Sequence, residues 1–512
     1  MATELELRFR IDAGVLARLA DASTVPGWRL GPSVTHVLDS TYFDLQDRSL
    51  GRCGIGVRIR ADGVARTLTV KIGSDANATL GARREWNLRT AGDVPDLRKL
   101  RRYLPAEAMA GPLVPVFRTE VRRIVRVLSG PARARGELAL DEGVIRAGRR
   151  RARIRELELE LKAGRPRALH DLALALHRGF GPFILEPSTK SARGYAMATG
   201  TAQAPRRADD IGLATELSGE AAAKTILRSC LAQIVANQAA ALEGADSEGV
   251  HQMRIGVRRF RAALSCLRRL LPTAARRAIS AEFRWLGREL GDAREWDVLI
   301  AETLTPAMAD PATAVTVTAH LDRAERRRAV GYRRARRALR SPRYTAAVLG
   351  ALAWLEQPWA DGAGRNRGRR LAKPFVRVAW RVMRDADREL RHDRAAVEDG
   401  DPARLHAVRI AAKRARYVTE FLAALAPLAA VESYVKALKR VQDAFGHSND
   451  AARAQAMLRS LLDEGAGSGG SEAPIDAIVH PDGGAHTRRR MAESWRRFEA
   501  TMPVHEAMGH GR

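Results

Sequence analysis

Glu4, Glu6 and Arg8 occupy alternate positions in Glu4-Leu-Glu-Leu-Arg8-Phe9, and the same one-in-two spacing recurs at Arg58 and Arg60 and at Glu156, Glu158 and Glu160. Lys71, Glu85, Arg123, Asp141 and Lys190 complete a mixture of carboxylates and cations in the first 200 residues. Successive side chains of a β-strand point to opposite faces, so each alternating set shares a face. Burying such a mixture requires ion pairing, metal ions or a polyanionic ligand, because an unpaired buried charge is costly. Carboxylates gathered at one side suit Mg²⁺ or Mn²⁺, which prefer oxygen ligands, and a ring of Arg and Lys suits phosphate. Together they are the parts needed for phosphoryl transfer to water, which is mainly positioning plus charge neutralisation.

A second constellation repeats. Val250-His-Gln-Met-Arg-Ile-Gly-Val-Arg-Arg-Phe-Arg261 matches Leu405-His-Ala-Val-Arg-Ile-Ala-Ala-Lys-Arg-Ala-Arg416 at a constant offset. On a helix His251, Arg254, Arg258 and Arg261 fall in one quadrant, opposite Met253, Phe260, Leu264 and Leu267. His406, Arg409, Lys413 and Arg416 repeat that geometry. One such face is explained by solvation alone; two in identical register favour a cleft lined by basic ladders that binds an extended polyanion. Arg294 with Asp297, and Asn449 with Asp450, read first as pairs that orient these helices.

The elements that must position these groups differ between the two halves. Residues 1–200 alternate apolar and polar residues in short runs separated by Gly, Asp and Pro, as half-buried antiparallel strands do. A sandwich would turn the charged face to water, whereas a barrel would turn it inward as a charged lumen. Residues 201–218 lose the pattern and read as a linker. Residues 219–464 are rich in Ala, Leu and Arg with helical periodicity, with an internal repeat over about 220–340 and 375–464. Residues 465–512 read as a flexible segment with a terminal helix. The expected fold is therefore α+β and multidomain: an N-terminal antiparallel β-barrel with flanking helices, and an all-α domain of two pseudo-symmetric helical bundles.

The 512 residues carry 87 Lys+Arg against 59 Asp+Glu, a formal charge of +28, with 46% hydrophobic content. Of these, residues 1–200 hold 35 basic and 22 acidic residues. The excess therefore lies in both halves rather than in one basic tail, and each half is expected to meet something anionic. Cys53, Cys230 and Cys266 form no metal-type spacing and no disulfide framework. The charged N-terminus and the lack of a long apolar run predict a cytoplasmic protein with no membrane span. Few aromatics (5%) and no base-reading motif argue against sequence-specific nucleic-acid binding.

The first 200 residues resemble the CYTH superfamily of triphosphate tunnel enzymes. The resemblance is carried by Glu4-Leu-Glu-Leu-Arg8-Phe9, Tyr42-Phe-Asp44, Arg58-Ile-Arg60, Leu68-x-Val-Lys71, Arg84-Glu85, Phe117-x-Thr119-x-Val121-x-Arg123, Asp141-x-Gly143, Glu156-Leu-Glu158-Leu-Glu160 and Thr189-Lys190-x₂-Arg193-Gly-Tyr195. Residues 219 to about 460 resemble the CHAD domain through the two histidine ladders and Leu290-Gly-Asp-Ala-Arg-Glu-Trp-Asp297. The resemblance implies an eight-stranded tunnel that binds linear triphosphates with a divalent metal, Mg²⁺ or Mn²⁺, and a helical domain that binds inorganic polyphosphate. It implies metal ligands among Glu4, Glu6, Glu156, Glu158 and Glu160. Phosphate ligands would come from Arg58, Arg60, Lys71, Arg123, Lys190 and Arg193, and catalytic roles fall to Glu4, Glu6, Arg8, Glu85 and Asp141. His251, Arg254, Arg258, Arg261, His406, Arg409, Lys413 and Arg416 would meet polyphosphate.

The implied activity is hydrolysis of tripolyphosphate to pyrophosphate and phosphate, with association with polyphosphate granules through the helical domain. Arg8 stands where the family usually has Lys, and Asn87 where many members have an acid. These departures keep open a tunnel that binds without hydrolysing. Composition and spacing are also compatible with a polyphosphate or nucleic-acid binding module without catalysis, and the resemblance extends to enzymes of an organic triphosphate (thiamine triphosphatase or adenylyl cyclase).

Overall fold

A computed structural model describes residues 5–72, 84–104, 111–201, 204–243, 247–309, 311–361, 363–392, 401–463 and 485–508. The chain divides into two compact units. The first comprises Met1–Arg207, Ala232–Met253 and Arg336–Gln357, and the second comprises Ala208–Leu231, Arg254–Ala335 and Pro358–Arg512.

In the first unit the alternating runs form strands β1 (Leu5–Arg10), β2 (Arg29–Asp44), β3 (Ile55–Asp62), β4 (Ala65–Ile72), β5 (Arg84–Arg89), β6 (Val114–Ser129), β7 (Arg135–Ala147), β8 (Arg150–Ala163) and β9 (Ile184–Leu185). They make one antiparallel sheet in the order β5-β4-β3-β2-β6-β7-β8-β1-β9. This differs from the expected eight closed strands. A ninth strand of two residues, too short to carry an alternating pattern, adds to β1, and among the described residues the sheet remains open, with β5 and β9 as its edges.

The sheet is nevertheless rolled. Five strands lie between β4 and β1, so a flat sheet would hold them about 29 Å apart. Yet the charge of Lys71 on β4 acts on Glu6 of β1, and that of Glu158 on β8 acts on Arg60 of β3. On the opposite face at β1 and β8, Leu7, Phe9, Leu157 and Leu159 are buried, as are Leu169, Leu172 and Leu176 of the helix Pro166–Phe180, while farther along that face carries the ion pairs Arg118–Asp39, Arg146–Glu120 and Arg155–Glu142. The family-like glycines follow from close packing. A Cβ on Gly143 would lie 2.0 Å from the Glu120 carbonyl oxygen, and one on Gly194 would lie 2.1 Å from the Phe117 ring, which stacks on Tyr42.

The C-terminal part is helical, as its periodicity predicts, and prolines start helices rather than interrupt them. Pro342 follows the cap Ser341, and Pro402 the cap Asp401. The repeat survives in three dimensions. The helices Ser247–Cys266 and Pro402–Phe421 both have 20 residues, and their ends stand at the same offset as the sequence repeat. Within the second unit their contacts are reciprocal. The Arg259 guanidinium lies 5.5 Å from the centre of the Phe421 ring, while Arg414, its counterpart, hydrogen-bonds Cys266, the counterpart of Phe421. Such exchange of equivalent partners is the mark of a local twofold relation. Among the described residues no helix is long and apolar enough to cross a membrane.

Candidate functional site

The register of the sheet brings the charged positions of the first unit onto one face. Glu6 is opposite Glu160, Arg8 opposite Glu158, Asp141 opposite Glu156 and Arg123 opposite Asp141. Farther along, Ser40 is opposite Arg60, Tyr42 opposite Arg58, and Lys71 opposite Glu85. The helix Lys190–Thr199, capped by the Thr189 side chain, contributes Lys190 and Arg193.

At one side of this face the charges neutralise one another. Asp141 and Glu156 are fully buried, and with Glu158 they form a trio whose oxygens lie within 4.8 Å of one another. The Lys190 ammonium lies 2.7 Å from Asp141, 2.7 Å from Glu156 and 2.6 Å from Glu158. Arg123 donates to both oxygens of Asp141, at 2.7 and 2.6 Å, and also to Glu158, while Arg193 donates to Glu156. Burial works against the charge of Glu158, but Arg123 and Lys190 hold its carboxyl well below the usual range. Glu6 has the opposite balance: burial and the charge of Glu158 push its pKa up against the pull of Arg8, Lys71 and Lys190.

At the other side the cations outnumber their partners. Arg60 donates to the Ser40 hydroxyl at 3.3 Å and Arg58 to the Tyr42 hydroxyl at 3.3 Å, and among the described residues neither forms an ion pair with a carboxylate. Arg58 Nε is buried and has no hydrogen-bond partner among the described residues. Burial, with the charge of Arg58 alongside, lowers the Arg60 pKa to about 10. Tyr42 is lowered too, because Arg58 and Arg60 outweigh its burial. Lys71 pairs with Glu85, which it holds below its usual value despite burial.

The sequence-derived set therefore divides. Among the described residues Arg58 and Arg60 form no ion pair with a carboxylate, whereas Arg123, Lys190, Arg193 and Lys71 do. Arg8 lies 3.7 Å from Glu6 and donates to the Pro187 carbonyl at 3.1 Å. Glu160 pairs with Lys162 at 2.6 Å. Glu4 lies outside the described residues. Tyr42 and Ser40, the hydroxyl partners of the two arginines, are not among the site residues expected from the sequence; their alternation with Leu38 on β2 is the signal that could have found them.

In the helical region, Arg254 donates to the Gly291 carbonyl at 2.8 Å and lies 3.6 Å from Glu295. Burial and Arg258 lower its pKa, and burial with Arg284 and Arg288 nearby lowers that of Arg261. His251, Arg258, Arg409 and Lys413 are half-buried, His406 is exposed, and Arg416 pairs with Glu420 at 3.2 Å. Asp297 is a structural anchor, accepting from Arg328 at 2.7 Å and from the Tyr332 hydroxyl at 2.9 Å. The side chains of Asn449 and Asp450 lie outside those described.

Comparison with known families decides the assignment. The family model of the CYTH domain matches residues 2–195, and that of the CHAD domain matches residues 225–459. The chain joins a CYTH domain to a CHAD domain. The chain is similar to an inorganic triphosphatase of Haemophilus influenzae, with 31% identity over 166 residues. That match spans 31% of this chain and 46% of the relative, so the chain covers about half of that protein's length. Among solved structures, the CHAD domain from the plant Ricinus communis is 30% identical, covering 60% of this chain and 95% of that one, with a TM-score of 0.44. A putative adenylyl cyclase from Hippeastrum, described as having a dominant triphosphatase activity, is 17% identical over 39% of this chain and 96% of its own, with a TM-score of 0.29.

CYTH tunnel enzymes use divalent metals, and the donor set here fits one. Among the described residues the carboxylate oxygens of Asp141, Glu156 and Glu158 lie within 4.8 Å of one another, an all-oxygen donor set of the kind Mg²⁺ and Mn²⁺ take, with the Lys190 ammonium held among them.

Proposed function

We propose that the CYTH domain is a divalent-metal-dependent inorganic triphosphatase acting on tripolyphosphate, and that the CHAD domain binds inorganic polyphosphate. The observation that carries the tunnel reading is the half-buried pair Arg58 and Arg60, which among the described residues hydrogen-bond the hydroxyls of Tyr42 and Ser40 and form no ion pair with a carboxylate. Two such cations are stable where an anion completes them, and guanidinium groups meet phosphate oxygens through parallel donors.

In this reading Arg58 and Arg60 hold phosphate oxygens and Arg8, fixed by Pro187, closes the far side. Arg123 and Lys190 fix the carboxylate trio rather than touch substrate. Asp141, Glu156 and Glu158 of that trio are the residues that would hold the metal, which when bound would neutralise phosphate oxygens and activate water. Phosphoryl transfer has little covalent work for a protein to do, so this placement of charge is the chemistry required. The basic ladders from Arg254 and Arg409 onward support the polyphosphate reading, since both halves of the chain carry positive charge.

Phosphate release from tripolyphosphate by the full chain with Mg²⁺ or Mn²⁺, abolished by EDTA and by Arg60→Ala, is the expected result. Thiamine triphosphate and ATP, run beside it, test whether an organic triphosphate is the better substrate. Tight tripolyphosphate binding without release under any metal would favour the second reading, a binding-only tunnel. That reading draws on the occupation of the Asp141–Glu156–Glu158 trio by the ammonium of Lys190.

A further inference from the structure

The segment Phe183–Lys190 meets the site along its length. Leu185 and Ile184 pair with Phe9 and Arg10 of β1, and the Glu186 amide donates to the Arg8 carbonyl at 2.9 Å. The Pro187 carbonyl receives the Arg8 guanidinium, and the segment ends at Lys190, whose ammonium sits in the carboxylate trio. The other side of the segment is held by side chains that lie within the CHAD-matched residues yet belong to the same compact unit as the sheet. Thr345 donates from its hydroxyl to the Phe183 carbonyl at 2.8 Å, and Gln238 donates from its amide to the Leu185 carbonyl at 2.6 Å; both residues are fully buried. His177 adds a third tie. Its Nδ1 accepts from the Phe183 amide at 3.2 Å, which leaves Nε2–H to donate to the Pro342 carbonyl at 2.9 Å, one turn before Thr345.

We propose that Gln238 and Thr345 are positioning residues of the triphosphate site: by holding the carbonyls of Leu185 and Phe183 they fix the strand that places Arg8 and Lys190. A β-strand of two residues has too little pairing of its own to hold a register, so its outer side must be held from elsewhere. The CHAD-matched sequence thereby supplies part of the CYTH site's scaffold. The functional half of this inference rests on the triphosphatase reading; the structural half does not.

The test uses the full chain with Thr345→Val, Gln238→Leu and the double substitution, and Thr345→Ser as the variant that keeps the hydroxyl. Amide exchange at Glu186 should rise about ten-fold or more in the double variant while exchange in β3 and β4 stays unchanged, as expected for a local opening. Metal-free calorimetric binding of tripolyphosphate should weaken, and KM should rise, by about five- to ten-fold, with kcat falling less, because misplacement of a binding group is felt directly. Thr345→Ser should retain wild-type values. Unchanged exchange at Glu186 would overturn the proposal, as would faster exchange with binding and KM unaltered. Failure of the wild-type protein to bind tripolyphosphate would instead overturn the functional reading, and the exchange measurement would still decide whether the two side chains hold the segment.

Discussion

The two sides of the tunnel face carry similar residues in opposite states. Arg123 of β6, with Lys190 and Arg193 of the helix Lys190–Thr199, meets Asp141 of β7 and Glu156 and Glu158 of β8 in a closed network, with each carboxylate contacted by at least two cations. On β3, Arg58 and Arg60 hydrogen-bond hydroxyls of β2 and, among the described residues, form no ion pair with a carboxylate. The same residue types thus do different work. Where the charges are mutually satisfied they hold the sheet together, and where they are not they make a receptor for charge from outside. A basic residue at an inner-face position is therefore a phosphate ligand only after its neighbours on the adjoining strands have been counted.

The sharpest way to break this comparison is Lys190→Met. It leaves three carboxylates facing one another with only the two arginines for company, and loss of one member of a buried network costs about 3–5 kcal/mol. Chemical denaturation should show a loss of that order, and Lys190→Met combined with Glu156→Gln should recover part of it, as coupled sites do. Arg60→Met should behave in the opposite way. Denaturation should show stability unchanged or raised, since a partly uncompensated cation leaves the interior. Tripolyphosphate binding should fall by about 10- to 100-fold, the worth of a charged hydrogen bond of about 1.5–3 kcal/mol. A large stability loss in Arg60→Met would erase the distinction between the two sides.

Much of this face was legible in the sequence because a period of two survives translation into structure without knowledge of the partner strand. Glu156, Glu158 and Glu160 had to share a face whatever lay beside them. The identity of the ion pairs was not legible. Arg123 reaches Asp141 and Glu158 through the register of three strands, and Lys190 arrives from a helix, so the neutralised side could not be told from the open one by composition. The short strand β9 was hidden for a different reason, since two residues have no pattern. Gln238 and Thr345 read as ordinary helical residues because their importance lies in carbonyls more than 50 residues away in sequence. The helical repeat, in contrast, was visible outright, and the reciprocal contacts of Arg259 and Arg414 follow from it.

The comparison extends to the helical region, where Arg254 is tied to Gly291 and Glu295 while His406 is exposed. Arg254→Glu with Arg409→Glu should weaken binding of long-chain polyphosphate by about ten-fold at moderate salt and flatten its salt dependence, since fewer counterions are exchanged. Tripolyphosphate turnover should be unchanged. Loss of turnover in a folded variant would mean that the two domains do not divide the labour.

The smallest effect is expected at Asn87, which sits between the two regimes. Its side-chain oxygen accepts from Thr69 at 2.8 Å and its amide donates to Glu85 at 3.2 Å, and Glu85 in turn pairs with Lys71. Asn87→Asp removes the donor to Glu85 and places a second negative charge beside it, drawing Lys71 further into internal pairing. Metal-free tripolyphosphate binding should then weaken by about two- to five-fold, because exposed and half-exposed charge pairs are worth about 0.2–1 kcal/mol. Tighter binding in Asn87→Asp once Mg²⁺ or Mn²⁺ is added, against weaker binding without it, would show that an acid at this position belongs to the metal side of the face. Weaker binding under both conditions would place position 87 with Arg58 and Arg60, where added negative charge only competes with the phosphate.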